Sequence, residues 1–271
     1  MVKLTDKEFN TLVDFVYKKY GINLSKKRVL IEGRMATTLR ERKIESFDEY
    51  LKILFSDTTG KEITLFLNKI TTNHTFFMRE MEHFRFLTEK AMPYFESVKR
   101  YKELRIWSAG CSSGQEPYTI AMALDDYFGL RKSQWTISIL ASDISMDALG
   151  KAERAIYPAE AIKDVPAKWR FLYFEDLKDG NFKISGRIRK DVTFKPINLN
   201  DDFFFPRPFD VIFCRNVMIY FDDVTREKLI EKFYGATANG GYLFVGHSEV
   251  VNRRTAKYRY IMPAIYQKKE D

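Results

Sequence analysis

The sequence predicts an α/β protein: a mostly parallel sheet carrying a small antiparallel β insertion, preceded by an all-helical domain. Three observations carry the prediction. Apolar residues recur at helical spacing behind two Thr/Ser-x-x-Glu strings in the first part of the chain, and after Leu104 short β-rich runs alternate with helical stretches. One segment, residues 171–190, breaks that alternation with closely spaced turns. A length of 271 residues suits two such domains better than one.

Thr5-Asp6-Lys7-Glu8 has the form of a capping box, in which each side chain satisfies a free amide of the first turn. Phe9, Leu12, Val13, Val16 and Tyr20 follow at helical spacing, with Gly21 as the stop. Ser25 is read as the cap of a second helix with Ile31, Met35 and Leu39 on one stripe. Ser46-Phe47-Asp48-Glu49 opens a third through Leu51 and Leu54, and Ile63, Phe66, Leu67 and Ile70 mark a fourth. The helical domain is expected over residues 1–88, a linking helix over 89–103, and the sheet domain over 104–271. In the sheet domain the strands are placed at Leu104–Ser108, Thr136–Ala141, Val192–Ile197, Phe209–Cys214 and Tyr242–Val245. One or two closing strands fall in Tyr258–Gln267, around Pro263. Phe171–Lys190, with Asp179-Gly180-Asn181 as a turn, is read as the antiparallel insertion.

Lys and Arg exceed Asp and Glu by 45 to 37, a net charge of +8 that fits an acidic partner, nucleic acid or anionic lipid without choosing among them. No run approaches the roughly 18 apolar residues of a membrane span, and the start of the chain has no apolar signal region. Cys111 and Cys214 lack metal-ligand spacing and read as free thiols of a reducing cytosol, so no metal site is expected.

In an open parallel sheet, ligands bind outside the carboxyl ends of the strands. The turn Ala109-Gly110-Cys111-Ser112-Ser113-Gly114 lets backbone amides come close to such a ligand. Asp143, about thirty residues further on at the end of the second strand, is placed to accept both hydroxyls of a ribose; it would equally serve as a helix cap. Together these features indicate a nucleoside-containing cofactor, either a dinucleotide or S-adenosylmethionine.

Longer strings separate the two. Asn73-His74-Thr75-Phe76-Phe77-Met78-Arg79-Glu80, Trp107 to Tyr118, Ser142-Asp143-Ile144-Ser145, Asn198-Leu199, Phe213 to Phe221 and Gly246-His247-Ser248-Glu249 follow one another along most of the chain. In these strings the sequence resembles the CheR family, the chemotaxis receptor glutamate O-methyltransferases. The resemblance implies a Rossmann-like class I methyltransferase sheet. It further implies transfer of a methyl group from S-adenosylmethionine to receptor glutamates, with S-adenosylhomocysteine as product.

By the same resemblance, Asn73, Thr75 and Arg79 would lie against the cofactor, with Arg79 facing a carboxylate. Ala109 would line the cofactor site, and Glu116 would take the methionine ammonium. Asp143 would hold the ribose, and Asn198 and Leu199 would flank the adenine. Arg215 and Asn216 would sit beside the cofactor, and Tyr220 near the transferred methyl. Arg79 and Tyr220 are the two candidate catalytic residues. Met78 departs from the family, whose second aromatic of a Phe-Phe pair stands there; small packing adjustments are expected. His74 falls at a variable position, His83 is read as an exposed helical residue, and His247 is placed at the edge of the site.

The implied partner is the receptor's cytoplasmic coiled coil, an acidic surface suited to Lys27, Arg28, Arg34, Arg40 and Arg42 on the second helix. In some relatives the β insertion also binds a short tether peptide at the receptor's C-terminus, and the sequence leaves open whether this one does. The resemblance implies a cytoplasmic enzyme that neither inserts into a membrane nor uses nucleic acid. No Asn/Asp-Pro-Pro-aromatic string follows the fourth strand, where Arg215-Asn216-Val217-Met218 stands, which speaks against base methylation. A non-catalytic module that binds S-adenosylmethionine for sensing or scaffolding is the alternative.

Overall fold

A computed structural model describes residues 2–71, 75–252 and 254–269. Its internal contacts form two units, residues 1–74 with 220–226 and residues 75–219 with 227–271.

The first unit is built on helices α1 (Asp6–Tyr20), α2 (Arg28–Glu41), α3 (Phe47–Ser56) and α4 (Lys61–Ile70). The first capping box is complete: Thr5 Oγ1 accepts from the Glu8 amide at 3.3 Å and Glu8 accepts from the Thr5 amide at 2.6 Å. Gly21, at φ +71°, ends α1 with its N–H on the Tyr17 carbonyl. The second box is half made. Ser46 accepts from the Glu49 amide, but the Glu49 carboxylate takes the amide of Glu45. Ser25 does not cap α2. Its hydroxyl and amide are both bound to the Asn23 side chain, and Lys27 stands at the helix start without a side-chain cap. Leu12, Val16, Ile31, Met35, Phe47, Tyr50 and Phe66 form the buried faces. Segment 220–226 joins this unit through Tyr17, which donates to Asp222, and through the Asn23 amide on the Tyr220 carbonyl.

The second unit opens with α5 (Met81–Phe86) and α6 (Met92–Val98), joined by one π turn, Leu87–Ala91. Pro93 has no N–H to give the turn before it, and the Met92 amide reaches back five residues to the Leu87 carbonyl. Phe84, Leu87, Met92 and Phe95 are buried in the core of this unit. The sequence reading instead divided this stretch between the helical domain and a linker.

The chain then runs β1 (Glu103–Ala109), α7 (Gln115–Phe128), β2 (Thr136–Asp143), α8 (Met146–Arg154), β3 (Ile156–Pro158), α9 (Ala167–Tyr173), β4 (Phe174–Asp176) and β5 (Asn181–Ile184). It continues through α10 (Gly186–Arg189), β6 (Val192–Pro196), β7 (Phe209–Cys214), α11 (Asp223–Ala236), β8 (Thr237–Val245), β9 (Arg259–Met262) and β10 (Ile265–Gln267). The main sheet has the order β6-β2-β1-β7-β8-β10-β9. Its first five strands are mutually parallel, and β10 and β9 close it antiparallel. From β1 the chain works outward to β2 and β6, then returns to β7 on the other side. The topological switch point therefore lies between β1 and β7.

The insertion is wider than the hairpin read from the sequence. It is a three-stranded antiparallel sheet, β3-β5-β4, whose third strand comes from residues 156–158. Phe171 to Tyr173 end a helix, and Arg187 to Arg189 form another, so neither is strand. The expected turn is present, with Asp179 accepting from the Asn181 amide and Gly180 at φ +83°.

Trp107 anchors β1. Its ring is enclosed by Phe203, Phe205, Phe209 and Phe233 at 5.0–5.5 Å, and its indole N–H donates to Ser142 on β2. A buried indole needs such a partner, and the bond fixes the level at which β1 and β2 end.

Candidate functional site

At the carboxyl end of β1 the chain turns through Gly110 at φ +85° and Ser112 at φ +48° into Gly114, which opens α7. The amides of Gly110 and Cys111 both donate to the Ser142 carbonyl at the end of β2. A Cβ on Gly110 would stand 2.3 Å from the Val217 Cγ2, so only glycine fits beneath the loop that follows β7.

Carboxylates gather around this turn. Asp143 accepts from the Ser112 amide at 2.8 Å and the Ser145 amide at 2.9 Å. It thereby ties the β2 end to the β1 turn, while the N-cap of α8 is Ser145. Burial pushes its carboxyl above the ordinary range in spite of those amides. Glu116 accepts from Ser108 at 2.7 Å and from Arg215 at 3.0 Å. Burial raises its carboxyl too, against the pull of Arg215.

Arg215 joins these groups. Only 2% of its side chain is exposed. Its guanidinium holds Glu116, lies 3.2 Å from Glu80, donates to the Arg79 carbonyl and rests 5.5 Å over the Phe84 ring. Glu80 meets it from the left-handed residue at the start of α5 (φ +56°). On the other side, Glu249 accepts from the amides of Asn216 (2.8 Å), Gly246 (2.6 Å) and Ile219 (3.2 Å). This buried carboxylate holds the loop after β7, in which Asn216 adopts φ +59°. Burial raises the Glu249 carboxyl as well.

The structure thus brings Ala109, Glu116, Asp143, Arg215 and Asn216 to the switch-point end of the sheet. Arg79 adjoins them through its own carbonyl, with its guanidinium 5.7 Å over the Phe76 ring. Phe76 is exposed, Phe77 is buried against Tyr157 and Phe174, and the Met78 amide donates to Thr119. Thr75 is half-buried irregular chain, and Asn73 and His74 lie outside the described residues.

Asn198 and Leu199 follow β6. The Asn198 side chain bonds Asp201 and the Asn200 amide, and Leu199 is buried. Lys232 fixes this loop by donating to the carbonyls of Leu199, Asn200 and Asp201 at 2.8–3.1 Å. Tyr220 falls in segment 220–226 of the helical unit.

His83 corrects the sequence reading: it is 1% exposed, and burial together with Arg215 and His247 pushes its imidazole down to about 3. Met81–Phe86 is too short for periodicity to reveal its buried side.

Sequence reasoning gave no role to Glu80, Glu249 or Lys232. Glu80 and Glu249 end two of the quoted strings, which was the available signal; Lys232 carried none.

Among the five docking candidates on α2 and its two caps, Arg28 pairs with Asp6, Arg42 pairs with Glu62, and Arg34 caps the carbonyls of Lys69, Ile70 and Thr71. Lys27 and Arg40 are exposed, without an ion pair among the described residues.

Known proteins match both units. The CheR methyltransferase all-alpha domain matches residues 7–71 and the CheR methyltransferase SAM binding domain matches residues 73–266. A chemotaxis protein methyltransferase of Borreliella burgdorferi is 43% identical over 272 residues, covering 98% of this chain and 96% of that one. One from Escherichia coli is 34% identical over 273 residues, covering 99% and 93%. One from Vibrio cholerae is 35% identical over 255 residues, covering 93% and 88%. With its all-helical part and its sheet domain both matched, along nearly its whole length, the chain belongs to the CheR family of S-adenosylmethionine-dependent methyltransferases.

Proposed function

We propose that this protein methylates glutamate side chains of chemotaxis receptors, giving glutamyl methyl esters and S-adenosylhomocysteine, in sensory adaptation. The observation that carries the reading is the imbalance of charge at the strand ends. Four carboxylates lie there against one buried guanidinium: Arg215 pairs with Glu80 and Glu116, while Asp143 and Glu249 are met, among the described residues, only by backbone amides. Buried carboxylates persist when cations or amides satisfy them. S-adenosylmethionine, with its ammonium and sulfonium, is the cationic nucleoside such a site favours.

In this reading Glu116 takes the ammonium with the lone pairs that Ser108 and Arg215 leave open, and Asp143 takes the ribose hydroxyls. Asn198 and Leu199 flank the adenine, Ala109 and Asn216 line the site, and Arg79 faces a carboxylate through two parallel hydrogen bonds. Asn73, Thr75 and Tyr220 enter from the resemblance alone. Bound S-adenosylmethionine supplies a methyl on a sulfonium, which a carboxylate oxygen takes in line while the sulfur keeps the electrons of the broken bond. No residue need move a proton, because a glutamate with a pKa of about 4.3 is already ionised. The residues act by alignment and by excluding water.

The receptor's cytoplasmic coiled coil is the proposed partner and a cytoplasmic location follows from it. No helix among the described residues is long and apolar enough to cross a membrane. Lys27 at the start of α2 and Arg40 within it are the cations with charge to offer, whereas Arg28, Arg34 and Arg42 would have to leave partners. The edge strands β3 and β4 of the insertion offer main-chain pairing to a tether peptide.

The test is transfer of labelled methyl to membranes holding a chemotaxis receptor, followed by mild alkali. We expect alkali-labile label on receptor glutamates, lost with Asp143→Ala. Cofactor binding without any transfer would favour the sensing or scaffolding module.

A further inference from the structure

We propose that Glu80, His83 and His247 form a binding site for one divalent metal ion of the zinc class. One ligand atom from each lies within 4.8 Å of the other two. His83 Nδ1 is 3.5 Å from the Glu80 carboxylate, and the His83 and His247 rings meet edge-to-face at 5.0 Å. His83 supplies the second, independent observation. It is 1% exposed and neither ring nitrogen has a hydrogen-bond partner. A buried polar group left unsatisfied costs about 1–3 kcal/mol, and such exceptions call for a cause. Two imidazoles and one carboxylate are a recurrent zinc donor set, which leaves a fourth tetrahedral position for water.

The remaining geometry is compatible. Neighbouring ligand atoms of a tetrahedral site stand about 3.4 Å apart for bonds of about 2.1 Å, so the cluster must close by roughly an ångström. His247 is exposed and gives the ion a route from solvent, while the Glu80 side chain is 13% exposed. Phe244, 5.6 Å from the His83 ring, walls the buried side. The facing cation is Arg215, which shares Glu80 but keeps Glu116 and the Arg79 carbonyl if Glu80 turns to a metal. Loading the site therefore loosens one of the three anchors of Arg215 and should weaken S-adenosylmethionine. That consequence rests on the cofactor reading above; metal binding itself does not.

The experiment titrates Co2+ into the full chain and follows visible absorption, with Zn2+ as competitor. We expect one equivalent to bind with the bands of a nitrogen–oxygen site, Zn2+ to displace it, and His247→Ala to lower affinity at least tenfold. His247 is exposed, so this variant tests the site without disturbing the core; His83→Gln, checked for folding by circular dichroism, is the second. Absence of Co2+ binding overturns the site, as does equal affinity in wild type and both folded variants. Calorimetry of S-adenosylmethionine with and without Zn2+ reads the coupling separately. Unchanged cofactor affinity in zinc-loaded protein overturns the link through Arg215, whereas failure to bind the cofactor at all overturns the methyltransferase reading.

Discussion

In the helical unit, Lys18 pairs with Asp14 one turn away on an open helix face, with most of both side chains in water. In the α/β unit, Arg215 holds Glu80 and Glu116 with 2% of its side chain exposed, near buried Glu249 and half-buried Asp143. Pairs of the first kind contribute about 1 kcal/mol at most and can be exchanged freely. The second kind sets a desolvation cost of several kcal/mol per ion against mutual attraction. A hydrophobic cluster would serve folding as well. Buried Asp125 is also paired, with Lys132 and Arg187, but there the cations keep more exposure, 13% and 54% of their side chains. At Arg215 the cation itself is enclosed, at the strand ends where the proposed function puts a charged cofactor.

The most severe way to break this contrast is Arg215→Met. It leaves Glu80 and Glu116 without their cation, and removal of one partner from a buried ion network costs about 3–5 kcal/mol. Urea unfolding should show that loss, and isothermal calorimetry should show S-adenosylmethionine binding gone. A loss below about 1 kcal/mol would put Arg215 in the same class as the surface pairs.

Two glycines sharpen the comparison at the level of the backbone. Gly110 and Gly60 both have positive φ, +85° and +74°. A Cβ on Gly60 meets nothing within 4 Å, whereas on Gly110 it strikes Val217. Gly60→Ala should cost only backbone strain, about 1–2 kcal/mol. Gly110→Ala adds about 1–3 kcal/mol of overpacking. Thermal unfolding should rank the variants in that order, and Val217→Ala placed with Gly110→Ala should return most of the difference.

Much of this was legible in the sequence, for local reasons. Thr5 and Glu8, Gly21, the strand runs and the Asp179-Gly180 turn all act within a few residues, so composition and spacing reveal them. Ile156–Pro158 was missed because three residues are too few to show alternation, and its pairing partner lies across a helix. Ser25 was misread because a hydroxyl near a helix start can bind Asn23 as readily as cap the helix. At the site, the motif strings contained Glu80, Glu116, Arg215 and Glu249. Which carboxylate binds which cation depends on contacts between residues far apart in the chain. For the same reason a polar residue such as His83 read as exposed, and Arg34 read as available for docking although its guanidinium caps α4.

Acidity separates the two regions in a third way. The folded chain holds His83 down to about 3, with Arg215, Glu80 and His247 facing it, while the unfolded chain titrates it near the ordinary 6.5. Between those values the unfolded state binds a proton that the folded state refuses. Stability from this residue therefore rises with pH across the window and is lost as pH falls through it. The slope is at most about 1.4 kcal/mol per pH unit. Urea unfolding at two pH values inside the window should be steeper in wild type than in His83→Gln. Parallel slopes would mean that His83 is solvated in the folded state.

The smallest effect belongs to the helical unit. Arg42 and Glu62 stand 2.6 Å apart with 35% and 21% of their side chains exposed, and the bond to Glu62 raises the guanidinium further above its ordinary value. The distance alone would suggest a strong anchor. The partners remain open to water, however, so their attraction is screened while two long side chains lose freedom. Arg42→Gln should therefore change stability by less than about 1 kcal/mol at low salt, and by less again near molar salt, where the screening length falls to about 3 Å. Arg215→Met, screened by protein instead of solvent, should keep nearly all of its loss in the same salt series. If both losses shrink together, the Arg215 cluster is wetter than its burial implies, and the contrast between the two units is one of degree.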